Sequence, residues 1–267
     1  MSEKAGSGIN FMSDRIIGLH DWLQTPAGRY LLDWERARVD AAVVDMFGYH
    51  ALQLGVPELE GLKANRMPHQ WLATDHLQVG AEMAVQQPVL LCDYSSLPFP
   101  ASSLDLVFLP HTLEFSADPH ATLREVERVL VPEGRVVICG LNPVSLWGLQ
   151  QRRSDLYRKI GFDHVFLPQA GEFIGYWRLR DWLRLLGFEV EVGEFGCYRP
   201  GFSSERWLRR MEWMDRAGPR WWPIFGAAYF LVAVKRVRGV RLMGAAWKTA
   251  PTSARNPVSV ANRSHDH

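Results

Sequence analysis

The stretch from residue 104 to residue 139 constrains this chain more than any other. Leu104–Leu109 reads LDLVFL, mostly apolar on both faces, as expected of a central parallel strand covered by helices on each side. Asp118 is a good N-cap and Pro119 suits the first helical position. Leu123, Val126 and Leu130 share one helical face, and Val131-Pro-Glu-Gly134 supplies a stop before a strand over Arg135–Cys139. Strand, helix and strand follow one another within about 36 residues, the size of one right-handed crossover unit. Such a unit commits the chain to an α/β sheet.

Flanking segments repeat the alternation. Leu31, Trp34, Val39 and Val43 mark a helix over residues 29–47, which leads into a strand at His50–Leu54. Short strands at Gln70–Thr74 and Val89–Cys92 end beside Asp75 and Asp93, and a helix is expected from His76 to Val85. Arg178–Leu186 forms a helix that stops at Gly187, followed by an alternating strand, Phe188–Val192, and a last strand, Ala227–Val234. The expected fold is α/β: a doubly wound, mainly parallel, Rossmann-like sheet with an antiparallel edge strand. A flexible arm is expected over residues 1–13 and a single domain over 14–237, with insertions at 142–176 and 198–223 that close over the mouth of the pocket. Residues 238–267, rich in Ser, Asn and Ala, are expected to be a disordered tail.

Composition narrows the function classes. Lys plus Arg (30) nearly balance Asp plus Glu (29), so the whole-molecule field favours neither nucleic acid nor an acidic membrane as an obligatory partner. Cys92, Cys139 and Cys197 lack any zinc-type spacing, so no metal site is expected and they read as reduced thiols. The N-terminus has no apolar signal segment, and the run Ile224–Val234 is about half the length of a membrane span. A cytoplasmic location follows as the expectation.

In doubly wound sheets ligands bind at the carboxyl ends of the strands. Asp75 lies about 20 residues beyond Gly55, the offset at which a dinucleotide-type fold sets a carboxylate on ribose hydroxyls. Its plainer reading is a helix cap. Asp93 follows the third strand, and around it the sequence carries a resemblance. Asp93-Tyr-Ser-Ser-Leu-Pro-Phe-Pro100, Ser103-Leu-Asp-Leu-Val107, His111-Thr-Leu-Glu-Phe115, Asp118-Pro119, Leu123-Arg-Glu-Val126 and Pro132-Glu-Gly-Arg-Val136 resemble the central half of class I S-adenosylmethionine (SAM)-dependent methyltransferases of the methyltransferase type 11 kind. The branch resembled includes small-molecule and quinone-biosynthesis enzymes.

The resemblance implies SAM as cofactor. It sets Asp93 on the adenine amino group and Asp75 on the ribose, and puts Pro110 and His111 beside the methionine moiety and the transferable methyl. It also implies a first loop of an acidic residue followed by Gly-x-Gly-x-Gly, whereas this chain reads Gln53-Leu-Gly-Val-Pro-Glu-Leu59. Gly55 alone survives; Pro57 fixes φ and Leu59 adds bulk. Gln53 and Gly55 remain cofactor-loop candidates, with Asp75, Asp93, Tyr94 and Pro110 as the other cofactor-binding candidates. Tyr94 would line the adenine pocket. His111 is the catalytic candidate, to steer or deprotonate the methyl acceptor, against a plainer reading as a satisfied polar group at a strand end; on either reading its replacement is expected to leave folding intact.

The insertion at 198–223 interleaves Arg199, Arg206, Arg209, Arg210, Arg216 and Arg220 with Trp207, Trp213, Trp221 and Trp222. Such a pattern can stack on bases or sit at a membrane surface. Trp207, Met211 and Met214 also fit a core-facing helical stripe, the reading preferred here. Three functions follow in order: a SAM-dependent methyltransferase acting on a small-molecule substrate, a non-catalytic methyltransferase-fold binding or regulatory protein, and an RNA-binding or RNA-modifying protein. Nucleic acid is not the favoured partner.

Overall fold

The computed structural model describes residues 19, 21–75, 88–159, 173–202 and 204–236. The arm, the tail, the helix expected after Asp75 and residues 160–172 of the first insertion lie outside the described residues.

Seven strands form one sheet: β1 (His50–Leu54), β2 (His69–Thr74), β3 (Val89–Leu91), β4 (Leu104–Pro110), β5 (Leu130–Leu141), β6 (Phe188–Gly196) and β7 (Ala228–Lys235). Their spatial order is β3-β2-β1-β4-β5-β7-β6. The first five pair in parallel, and β7 runs antiparallel to both β5 and the edge strand β6. The described helices are α1 (Pro26–Val43), α2 (Thr112–Phe115), α3 (Pro119–Val129), α4 (Leu146–Lys159), α5 (Tyr176–Leu185), α6 (Glu205–Arg210) and α7 (Trp213–Trp221). None among the described residues is long and apolar enough to cross a membrane.

Local signals explain most boundaries. Asp118 accepts from the Ala121 N–H at 2.9 Å and caps α3, and Gly187, at φ +85°, ends the α5 turn. Three elements differ from expectation. The first helix begins earlier, because Thr25 caps it through the Gly28 N–H and Pro26 occupies its first turn. Strand β5 starts at Leu130, before the Pro-Glu-Gly stop, because Leu130 pairs with Leu104 across a register shift. Strand β6 runs on to Gly196, because it pairs with β7 as far as Ala228 and absorbs a second shift between Val190 and Val192.

The sheet buries both faces, and the period of two is visible on β4. Leu106 and Phe108 join Leu31, Val39 and Val43 of α1 in one apolar cluster. Val107 and Leu109 join Leu123 and Val126 of α3 and Leu179 and Leu183 of α5 in the other. Because β1 to β5 are parallel, Leu54, Thr74, Leu91, Pro110 and Leu141 end at one carboxyl edge. One residue breaks the apolar face of α1: Glu35, fully buried between Leu31 and Val39.

Candidate active site at the carboxyl edge

Gly55 leaves β1 at φ +78°, and its N–H donates to Ala73 O at 2.7 Å. A Cβ there would stand 3.0 Å from the Tyr94 hydroxyl. The loop then turns through Val56 at φ +39°, a 3-10 turn at Pro57–Leu59, and Glu60 at φ +45°. The buried side chain of Gln53 holds this shape together. Its Nε2 donates to Gly55 O (3.1 Å) and Val56 O (2.8 Å), and its Oε1 accepts from the Gly61 N–H (3.0 Å). A carboxylate at this position could accept from Gly61 but could not donate to two carbonyls. The polar atoms of Gln53 are thus engaged by the loop itself.

Asp75 and Asp93 follow β2 and β3 on the same edge, on either side of Cys92. Burial raises the Cys92 thiol pKa first, and the charges of Asp93 and Asp75 add to the rise. Asp93 Oδ1 accepts from the Ser95 N–H and hydroxyl, each at 2.8 Å, leaving Oδ2 open to a ligand donor. Tyr94 is buried over Gly55, and its hydroxyl pKa is driven up by burial and then by the charge of Asp75.

Pro110 ends β4, and beyond it His111 takes a left-handed turn at φ +54°. Thr112 braces the turn, its hydroxyl donating to Leu54 O across the sheet edge. The His111 ring is only 2% exposed. Nδ1 lies 3.0 Å from Glu114 Oε2 in a hydrogen bond. Nε2 lies 2.9 Å from Glu35 Oε1, close enough for an ion pair but out of hydrogen-bond alignment. Glu114 Oε1 also accepts from the Leu141 N–H at the end of β5. Burial alone would lower the His111 pKa. The charge of Glu35 and the Glu114 hydrogen bond outweigh it and push the pKa up to about 10. Burial raises the Glu114 carboxyl, against the pull of His111.

Sequence reasoning reached His111 but missed both carboxylates that enclose it. The signal for Glu35 was present as an acidic residue four positions from each of two apolar residues on a core-facing stripe. Glu114 offered less, since it lies inside a short helix after a strand.

The second insertion leaves the carboxyl end of β6. Asp215 accepts from the Tyr30 hydroxyl, from the Tyr198 N–H at 3.2 Å and from Arg199 Nε at 2.8 Å, while the Arg199 guanidinium stacks 4.7 Å over Tyr30. A cavity of about 640 Å³ lies between α1 and α6, lined by Tyr30, Trp34, Arg199, Leu208 and Arg209 among others. The core-facing stripe expected at Trp207, Met211 and Met214 does not form. The segment breaks into two short helices, Leu208 is the buried residue of α6, and Trp207 is exposed beneath Arg210.

A family profile described as "Methyltransferase domain" matches residues 65–138, from the approach to β2 through most of β5. The uncharacterized protein YafS of Escherichia coli (strain K12) is 33% identical over 171 residues, covering 63% of this chain and 65% of that protein. The ubiquinone/menaquinone biosynthesis C-methyltransferase UbiE of Paraburkholderia phymatum is 32% identical over 85 residues, 30% of this chain and 34% of that enzyme. The chain therefore spans less than two thirds of the length of these relatives. Among solved structures, a SAM-dependent methyltransferase of Thermotoga maritima superposes with a TM-score of 0.57 at 17% identity, over 85% of this chain and 99% of that one. The matched segment carries the methyltransferase-domain pattern, and the seven-stranded sheet has the fold of SAM-dependent methyltransferase structures.

Proposed function

We propose that the chain is a SAM-dependent methyltransferase whose cofactor lies over Gly55 at the carboxyl edge. The observation that carries this reading is the convergence of Gly55, Asp75, Asp93 and Pro110 at the ends of four adjacent parallel strands. The acceptor set fits a nucleoside. Asp93 Oδ2 accepts from the adenine amino group, and the Asp75 carboxylate accepts from the ribose hydroxyls. SAM when bound supplies a sulfonium methyl, which needs only an aligned nucleophile for in-line displacement. His111 is a positioning residue in this reading, since both its ring nitrogens face carboxylates. It fixes the turn after β4 against α1 and β5. The acceptor is a small molecule, and the cavity between α1 and α6 falls in the range of volumes that hold one.

Calorimetric titration of the wild-type chain with SAM and with its demethylated product tests the reading. Loss of one buried hydrogen bond costs about 1 to 3 kcal/mol, so Asp75→Ala and Asp93→Ala should each weaken binding by roughly 5- to 150-fold. No binding of either ligand at millimolar concentration would sink it. Binding without turnover over a panel of acceptors would favour the second reading, a non-catalytic SAM-binding protein, for which the self-engaged loop around Gln53 speaks.

A further inference from the structure

The segment between β6 and β7 exposes tryptophans and arginines together. On α7, Trp213, Arg216, Arg220 and Trp221 stand at positions i, i+3, i+7 and i+8, which form one stripe, and all four are exposed. Trp213 is 54% exposed and Trp221 73%. The opposite side of the helix is anchored: Gly218 packs on the Tyr198 ring, and Asp215 takes the bonds from Tyr30, Tyr198 and Arg199. The stripe is therefore held outward. Past the helix, Ile224 and Phe225 continue the exposed apolar surface.

Charge is concentrated here too. Arg206, Arg209, Arg210, Arg216 and Arg220 are exposed, against the exposed acids Glu205 and Glu212, in a chain whose charges otherwise nearly cancel. Indole rings beside arginines on one face suit a headgroup layer, where the ring sits among acyl carbonyls and the guanidinium reaches lipid phosphate. Bases could stack on the tryptophans, but Ile224 has no π face to offer them, and this favours lipid.

We propose that the α6–α7 surface docks on an anionic phospholipid bilayer. Strand β6 ends at Gly196 and β7 begins at Ala228, and these two residues pair with each other while Ala228 also pairs with Leu141. Docking therefore brings the carboxyl edge of the sheet toward the interface. The inference rests on this surface alone and stands whether or not the chain transfers a methyl group.

Co-sedimentation of the full chain with vesicles tests it. The chain should pellet with vesicles of phosphatidylglycerol and phosphatidylcholine and stay in the supernatant with phosphatidylcholine alone. Binding should fall as salt rises through the range where the Debye length drops from about 10 to about 3 Å. Arg216→Gln/Arg220→Gln should lower partitioning roughly 25- to 30-fold, at about fivefold for each charge removed. Trp213→Ser/Trp221→Ser should lower it by roughly tenfold or more. Urea midpoints like the wild type would show that both variants fold; if the tryptophan variant does not, the arginine pair still decides. No pelleting with anionic vesicles overturns the proposal, as does binding undiminished in the arginine variant. Capture of polyuridylate that anionic vesicles fail to displace would identify a nucleic-acid face instead.

Discussion

Replacing His111 with Ala should destabilise the fold severely, contrary to what sequence spacing alone predicts for a residue at a ligand edge. The imidazolium stands between two carboxylates, Glu35 at 0% and Glu114 at 3% exposure, and its removal leaves both buried without a counter-charge. Breaking one buried ion pair typically costs about 3 to 5 kcal/mol, a large share of a total stability of about 5 to 15 kcal/mol. Urea unfolding at pH 7 should show the midpoint lowered by that free energy divided by the slope, with little change in the slope itself. The pH dependence carries a sign. His111 binds its proton more tightly folded than unfolded, so its contribution is fully present below about 6.5 and is lost as pH rises through about 10. In the Ala variant the Glu114 carboxyl, raised by burial, loses the opposing pull of His111 and is neutralised by protonation instead, so the deficit should shrink as pH falls toward 5. Adding Glu35→Gln to His111→Ala should recover part of the loss, because one buried charge is removed. A deficit under about 1 kcal/mol at pH 7, or one that stays constant from pH 5 to 8, would refute this account.

Gln53→Glu introduces the acidic residue that the resemblance implies at this position, yet it sets acceptors against Gly55 O and Val56 O. It should lower stability by about 1 to 3 kcal/mol in thermal unfolding; an unchanged or higher midpoint would contradict the role given to Nε2. Gly55→Ala forces a side chain into φ +78° and against the Tyr94 hydroxyl. It should cost about 1 to 2 kcal/mol, with Tyr94→Phe in the same chain relieving only the contact part.

Much of the sheet was legible because its signals are local. The apolar run 104–109, the Asp118-Pro119 cap and the Gly187 stop each act within a few residues, and α3, β4 and the end of α5 form where those signals lie. The start of β5 and the length of β6 were not legible, since both depend on a neighbouring strand that lies elsewhere in the sequence. The same division runs through the site. Gly55, Asp75, Asp93 and Pro110 follow from counting strand ends, whereas the enclosure of His111 requires α1 to lie across β4 and bring Glu35 within 2.9 Å. The exposure of Trp207 was missed because the segment breaks between α6 and α7, so the helical spacing from Trp207 to Met214 does not run along one helix.

The loop after β1 looks damaged when read against a glycine pattern, but its departures are coupled. Val56 and Glu60 hold positive φ without glycine, at a cost of order 1 to 3 kcal/mol each. Gln53 offsets part of that with three hydrogen bonds, each worth about 0.5 to 1.5 kcal/mol net. Pro57 opens the 3-10 turn with its φ already set, the Glu60 N–H closes on Pro57 O at 3.1 Å, and Leu59 is buried in the α1-side cluster. Restoring one glycine therefore does not restore a flexible loop. Pro57→Gly adds chain entropy to the unfolded state while Gln53 keeps both carbonyls fixed, so stability should fall by about 0.4 to 1 kcal/mol. SAM affinity should stay within a few-fold of wild type. A marked gain in affinity would mean that the turn itself, and not the surrounding carboxylates, limits binding. Only replacing Gln53 together with Val56 and Pro57 would free the backbone that the glycine pattern provides, because the side chain at 53 is what the altered turn is built around.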